Sequence, residues 1–307
     1  MSTRPDDEPT VVAFSDRVAE AVERKRSQLV VGLDPRIDLL PVELRGEALL
    51  GRAAAAAAVE RFCKGIVDAV APYVVGVKPQ VAFFEALGSD GWLALETVSR
   101  YAADAGLLVI ADAKRGDIGS TARAYAAAFL EPRGAEPPLA DALTINPYLG
   151  SDSIDPFLAA CRRHGAGVFC LVRTSNAGGR DLQDAVLSDG IPVWRHVAGL
   201  VSEWGADLVG DHGMSSVGAV VGATVPRLIG DARRAMPQQI ILLPGVGTQG
   251  ATPGDVARAF TSGPASALVN ASRSVIFAYR DTEDDWRAAA GTEAARLAAE
   301  IWTAAGW

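Results

Sequence analysis

The sequence predicts an α/β fold built as one closed (β/α)8 barrel, the TIM-barrel architecture. Three observations carry that prediction. Eight short apolar runs recur along the 307 residues, many rich in valine or isoleucine, and most end in a polar or glycine-containing turn. That is the pattern of parallel strands buried on both faces. Stretches long enough for a helix lie between them, so strand and helix alternate throughout. An open, doubly wound sheet is the competing solution, and it requires a Gly-x-Gly-x-x-Gly turn after the first strand. Gly32-Leu-Asp-Pro35 is not such a turn.

Taken in order, residues 1–10 are polar and acidic and are expected to form a flexible tail. They lack the basic start and apolar run of a signal peptide. No stretch of eighteen apolar residues exists, so no membrane span is expected and the chain is expected to be cytoplasmic. Residues 11–307 are expected to form the single barrel domain. The first run, Leu29–Leu33, closes on Asp34. An alanine-rich tract, Ala53–Ala58, belongs to the helical stretch around Ala54–Ala69. The second run, Tyr73–Val77, closes on Lys78. The third, Leu107–Ala111, closes on Asp112, with Lys114 and Asp117 following and a helix at Ala122–Phe129. The fourth, Ala142–Ile145, closes on Asn146. The fifth, Gly167–Val172, closes on Arg173 to Asn176; the segment Gly178–Trp194 after it is longer than a minimal barrel needs. A helix at Trp194–Trp204 leads to the sixth run, Ala219–Gly222, which closes near Thr224. The seventh, Ile240–Leu243, opens into the glycine-rich Gly245–Gly250 and a helix at Pro253–Thr261. The eighth, Ala267–Val269, closes on Asn270 to Arg273.

The bulk chemistry narrows the function. A net charge of −8 and a pI near 5.0 argue against a general nucleic-acid binder, which needs a basic excess. A small anionic substrate remains compatible, because a site needs only a few local cations. Cys63, Cys161 and Cys170 form neither a CxxC nor a zinc pattern and read as small buried hydrophobes. His164, His196 and His212 close no strand and form no HxH or HExxH motif, so no metal site is expected of them.

In such barrels the active site lies at the C-terminal ends of the strands. Charged and amide side chains recur there in this chain, which packing alone does not require, since isolated buried charges are unfavourable. Asp112 and Lys114 stand two apart on one strand and so point to the same side. With Asp34, Lys78 and Asp117 they make an alternating set of acids and lysines around one mouth. Such a set can stay ionised where a lone charge could not, and it offers an ammonium as proton donor. An Asp-x-Lys triplet by itself is more often a solvated ion pair. The agreement among several strand ends is what gives it weight. Leu243-Pro-Gly-Val-Gly-Thr-Gln-Gly250 offers backbone N–H groups to an anion, and Arg273 offers a bidentate grip. Loops after strands seven and eight often hold phosphate in this fold.

These residues resemble a known family. Asp112-Ala-Lys-Arg-Gly-Asp-Ile-Gly119 is similar to the DxKxxD signature of orotidine 5'-phosphate decarboxylases, most of all the longer-chain type 2 subgroup. Gly32-Leu-Asp-Pro35, Val77-Lys-Pro79, Thr144-Ile-Asn-Pro-Tyr-Leu-Gly150, Arg173-Thr-Ser-Asn176, Pro244-Gly-Val-Gly-Thr-Gln249 and Ala271-Ser-Arg-Ser274 match in family order. The resemblance implies conversion of orotidine 5'-phosphate to UMP and CO2 without metal or cofactor, in a homodimer with shared sites. It implies that Asp34 and Lys78 contact the ribose, that Asp112 lies beside the substrate carboxylate, and that Lys114 donates the proton. Asp117 and Thr121 would reach the neighbouring subunit's site, and Ser175 would read the pyrimidine edge. Gln249 and Arg273 would hold the phosphate, helped by backbone N–H groups near Gly247 and Arg273. Two rivals stand beside this: an Mg²⁺-dependent sugar-phosphate decarboxylase or synthase of the same superfamily, and a non-catalytic nucleotide-binding barrel. The resemblance implies an acid at the end of strand two in the Mg²⁺ enzymes, where this chain has Lys78.

Overall fold

The computed structural model describes residues 11–223, 226–245, 252–282 and 284–307. The strands are β1 (Leu29–Leu33), β2 (Gly76–Pro79), β3 (Leu108–Arg115), β4 (Ala142–Ile145), β5 (Gly167–Arg173), β6 (Ser215–Val221), β7 (Gln239–Pro244) and β8 (Ala267–Ala271). They follow one another round a closed barrel, each parallel to its neighbours, with β8 pairing back onto β1. The expected barrel is therefore observed. Each of the eight expected runs overlaps its strand. The helical stretch expected at Pro253–Thr261 is a helical turn, Pro253–Val256, continued by a 3-10 turn, Ala257–Phe260.

Pleating sends alternate residues of each strand to opposite faces, and the two faces build separate cores. Val31, Val77, Leu143, Val168, Ile241 and Val269 belong to the outer core beneath the helices. Val30, Ile110, Ala142, Phe169, Leu242 and Leu268 belong to an inner core that fills the barrel. Two residues further along their strands, the inner face turns polar: Ile110 gives way to Asp112, Ala142 to Thr144 and Leu268 to Asn270. The barrel is thus apolar below and polar at the C-terminal mouth.

A helix ahead of β1, Phe14–Lys25, closes the other end. Its Phe14, Val18 and Val22 join the inner core, and the Phe14 ring meets Phe169 edge-on at 5.9 Å. Glycine at position 167 is required by that contact, because a Cβ there would stand 2.2 Å from the Phe14 ring. Asp16 locks the plug. Its buried carboxylate accepts hydrogen bonds from the amides of Asp211 (3.1 Å) and His212 (2.9 Å) and lies 3.1 Å from His212 Nδ1. Burial works against its ionisation, but the His212 and Asp211 donors outweigh that and hold its pKa below the ordinary carboxylate value. All three cysteines are buried thiols, with Cys161 pushed up to about 12 by burial.

Because the folded pKa of Asp16 is depressed, its contribution is present above the unfolded value of 3.8 and is lost as pH falls through the lower folded value. Thermal melts from pH 7 down to pH 3 are expected to show this acid-side loss weakened in Asp16→Asn. At neutral pH Asp16→Ala, which leaves the amide donors unpaired, is expected to destabilise by about 1–3 kcal/mol.

Candidate active site

The mouth is organised by an irregularity in β3. Ala111 pairs with Leu143 and Arg115 with Ile145, so four steps along β3 oppose two along β4. The surplus is absorbed in a bulge, and Lys114 sits there in the left-handed region at φ 50°. Among the described residues only Arg26 shares that conformation without being glycine. A β-strand lysine does not adopt it unless the surroundings enforce it. Simple alternation would bring Asp112 and Lys114 to one side, as the sequence predicts; the Lys114 ammonium does reach Asp112, but the backbone carries it there through the bulge.

Asp112 is the centre of the constellation. Its Oδ2 accepts hydrogen bonds from Lys78 Nζ at 2.6 Å and Gln80 Nε2 at 3.0 Å. Its Oδ1 accepts from Lys114 Nζ at 2.5 Å and Thr144 Oγ1 at 3.0 Å. Each oxygen therefore takes one ammonium and one neutral donor. Burial alone would raise the Asp112 pKa, yet Lys78 and Lys114 together hold it far below the usual carboxylate range. Burial alone would also discharge Lys78, yet Asp112, and after it Asp34, raise its pKa above the ordinary lysine value. Both groups stay charged because each supplies what the other needs. Side-chain exposure separates the roles: 5% for Lys78, 10% for Asp112 and 45% for Lys114. Lys114 is the member that faces the open mouth.

Of the remaining expected residues, those described follow the C-terminal ends of their strands. Asp34 follows β1, and its Oδ1 is buried with no hydrogen-bond partner among the described residues, an acceptor awaiting a donor. Asp117 caps its own neighbour, accepting from the Ile118 amide at 2.8 Å, and does not join Asp112. Thr121 is exposed on the first turn of the helix Gly119–Leu130. Ser175 is exposed after β5, and its backbone rests on Gly222, where a Cβ would come within 2.8 Å of it. Arg273 opens the short helix Arg273–Ile276 after β8, is exposed, and makes no salt bridge among the described residues. Thr224, Gly247 and Gln249 lie outside the described residues. A cavity of about 850 Å³ lies at the opposite end, lined by Val109, Asp141 and Ala166 at or beside strand starts. Convergent charge, rather than volume, marks the mouth as the site.

The family model for the orotidine 5'-phosphate decarboxylase / HUMPS family matches residues 27–289, which includes every one of these side chains. The chain belongs to that family. Orotidine 5'-phosphate decarboxylase of Rhodopirellula baltica is 46% identical over 278 residues, covering 89% of this chain and 91% of that protein. The Deinococcus radiodurans protein of the same name is 43% identical, covering 86% and 89%. Among solved structures, a Streptomyces avermitilis protein superposes with a TM-score of 0.82 at 37% identity, covering 99% of this chain and 100% of the other. Leishmania donovani OMP decarboxylase gives 0.73 at 32%, covering 95% and 98%.

For a member of this family, two side chains at the mouth escape the strand-end reading, Gln80 and Thr144. Gln80 stands two residues beyond Lys78 and bridges to Asp112. Thr144 is the polar residue inside the fourth apolar run. Period-two alternation from Lys78 and from Ala142 would have pointed to both. Arg173, buried at the end of β5, is engaged by the loop that follows: its Nε and Nη2 reach Asp184 at 2.9 and 3.0 Å, and Nη1 reaches Gln183 at 3.2 Å. Asn146 accepts from the Tyr148 amide at 3.1 Å and so caps the 3-10 turn Pro147–Leu149.

Removing the central charge should be felt in folding as well as chemistry. Asp112→Asn strands the buried Lys78 ammonium and is expected to destabilise by about 3–5 kcal/mol in denaturant unfolding at neutral pH. A change below about 1 kcal/mol would mean that Lys78 does not depend on this partner.

Proposed function

We propose that the chain decarboxylates orotidine 5'-phosphate to UMP and CO2 without metal or cofactor, with Lys114 as proton donor. The observation that carries this is the Lys78–Asp112–Lys114 chain: a buried carboxylate clamped by two ammoniums, one of them open to the mouth. The bond between ring C6 and the carboxylate breaks, and the electron pair stays on C6 as an in-plane carbanion that the ring cannot delocalise. Fixed positive charge beside that carbon stabilises it as it forms. Lys114 Nζ then transfers a proton to C6. Asp112 beside the departing carboxylate adds repulsion in the ground state. Asp34, whose buried Oδ1 has no hydrogen-bond partner among the described residues, and Lys78 suit the ribose hydroxyls. Ser175 would read the pyrimidine edge. Arg273, with Gln249 and the amides near Gly247, would grip the phosphate, whose remote binding contributes to closing the site. Lys78 also stands against the Mg²⁺-dependent alternative, because a buried ammonium repels a cation where that chemistry needs an acid.

We further propose a homodimer with shared sites. Asp117 and Thr121 stay off the Asp112 network of their own chain. Around them Ile118, Tyr148 and Leu149 present apolar side chains to the surface, a surface suited to a second copy.

Ultraviolet assay of orotidine 5'-phosphate consumption tests the reaction. Activity is expected to survive EDTA, and Lys114→Ala is expected to lose at least about 100- to 10,000-fold in kcat while keeping the wild-type melt. Near-normal turnover by that variant would overturn the mechanism, and loss on chelation would favour the metal-dependent reading. Shared sites make a separate prediction. Lys114→Ala and Asp117→Ala are each expected to be crippled alone. Refolded together they should regain activity, because one site of each hybrid dimer then holds both side chains. A monomer in sedimentation, or no recovery in the mixture, would remove the shared-site proposal.

A further inference from the structure

The bulge in β3 poses a question that the charges leave open. Lys114 occupies a backbone conformation that disfavours a side chain with a Cβ, and something must hold it there. Thr144 is the residue of β4 that lies between the two pairs flanking the bulge, Ala111 with Leu143 and Arg115 with Ile145. Its side chain turns inward and is 1% exposed. The Lys114 amide donates to Thr144 Oγ1 at 2.9 Å, and the Thr144 hydroxyl donates onward to Asp112 Oδ1 at 3.0 Å. A hydroxyl has one hydrogen and two lone pairs, so it can do both at once. On the far side of the bulge, the Asn146 amide donates to the Arg115 carbonyl at 2.8 Å and ties β4 to the strand again.

We infer that Thr144 is a positioning residue: its hydroxyl joins the left-handed Lys114 backbone to the Asp112 carboxylate, and so sets where the Lys114 ammonium stands. Deleting the hydroxyl frees both ends of this link. The bulge amide loses its acceptor, and Asp112 Oδ1 loses the neutral donor that fixes its rotation. Valine fills the same volume and keeps the β-branch, so it removes the link while leaving the packing in place. Serine restores the link without the methyl group.

The inference rests on the decarboxylase function proposed above, and the experiment separates the two. Wild type, Thr144→Val and Thr144→Ser are compared in the orotidine 5'-phosphate assay, and crystal structures of wild type and Thr144→Val are compared at Lys114. Thr144→Val is expected to lose about 100-fold in kcat, the size of effect a displaced catalytic group gives. Its KM should change little, because Thr144 contacts the charge network and no group assigned to the phosphate. Thr144→Ser is expected to recover most of kcat. In the Thr144→Val crystal, Lys114 should leave positive φ or its Nζ should draw away from Asp112. Wild-type kcat in Thr144→Val, a serine variant as poor as the valine one, or an unmoved Lys114 would each overturn the inference. If Thr144→Val does not fold, Thr144→Ala against Thr144→Ser decides the same question by the same criteria. Should wild type itself fail to consume the substrate, the proposed function falls, and the crystal comparison still tests the link.

Discussion

A carboxylate buried at the mouth of a barrel is unfavourable unless its full acceptor capacity is used, and that requirement at Asp112 governs the structure around it. Four donors converge on its two oxygens from β2, from the turn after it, from β4 and from its own strand. No one element could supply them, so the barrel must bring three strands to the same height. The arrangement gives two ammoniums to the Asp112 carboxylate, with Asp34 the next carboxylate acting on Lys78, so acid and lysine alternate across the mouth. The most exposed member of that set is Lys114, so a globally acidic protein can still present an ammonium to an anionic ligand, because nearby charges in a partly desolvated cleft outweigh distant screened ones.

The rest of the fold isolates that mouth. Below the polar layer the barrel is filled by valine, isoleucine, leucine and Phe169, and the helix Phe14–Lys25 seals the end. These apolar side chains beneath the network keep the local dielectric low and the ion pairs strong. The seal uses its own polar lock, Asp16 on the amides of Asp211 and His212, placed at the opposite end from the Asp112 network. The stabilising lock and the proposed site thus occupy opposite ends of the barrel, the division expected when loops at one end carry the site and the other end only closes it.

Much of this is legible in the sequence, and the parts that are not share a cause. Leu29–Leu33 and Ala142–Ile145 match their strands residue for residue, because apolar, β-branched runs bounded by polar turns carry a local signal. The second strand begins at Gly76 rather than Tyr73, since Val74 and Val75 are buried in the turn that leads into it and extend the apolar run. The sixth begins at Ser215 rather than Ala219. Ser215 is buried and polar, and its hydroxyl is spent on the Gly205 carbonyl, a partner ten residues away. Lys78, Asp112 and Lys114 were readable as charges closing strands. The bulge, the left-handed Lys114, and the bonds of Gln80 and Thr144 to Asp112 were not. Each depends on which strand lies alongside and in what register, and register is a property of the closed sheet rather than of a local run.

Register also explains why the network can serve a reaction rather than merely persist. In the proposed decarboxylation Lys114 must turn part of its attention from Asp112 to the ring carbon and then lose a proton. A carboxylate held by Lys114 alone would be left exposed at that moment and would draw the ammonium back. Asp112 keeps Lys78, Gln80 and Thr144 throughout, and these donors sit on β2, the turn after it, and β4, none of which belongs to the bulge. The donor that moves is the one on the exposed, irregular segment, and the donors that stay are on the more buried elements. Preorganisation of this kind lets one bond be exchanged without reorganising the others, which is how a fixed polar site stabilises a developing charge better than water does.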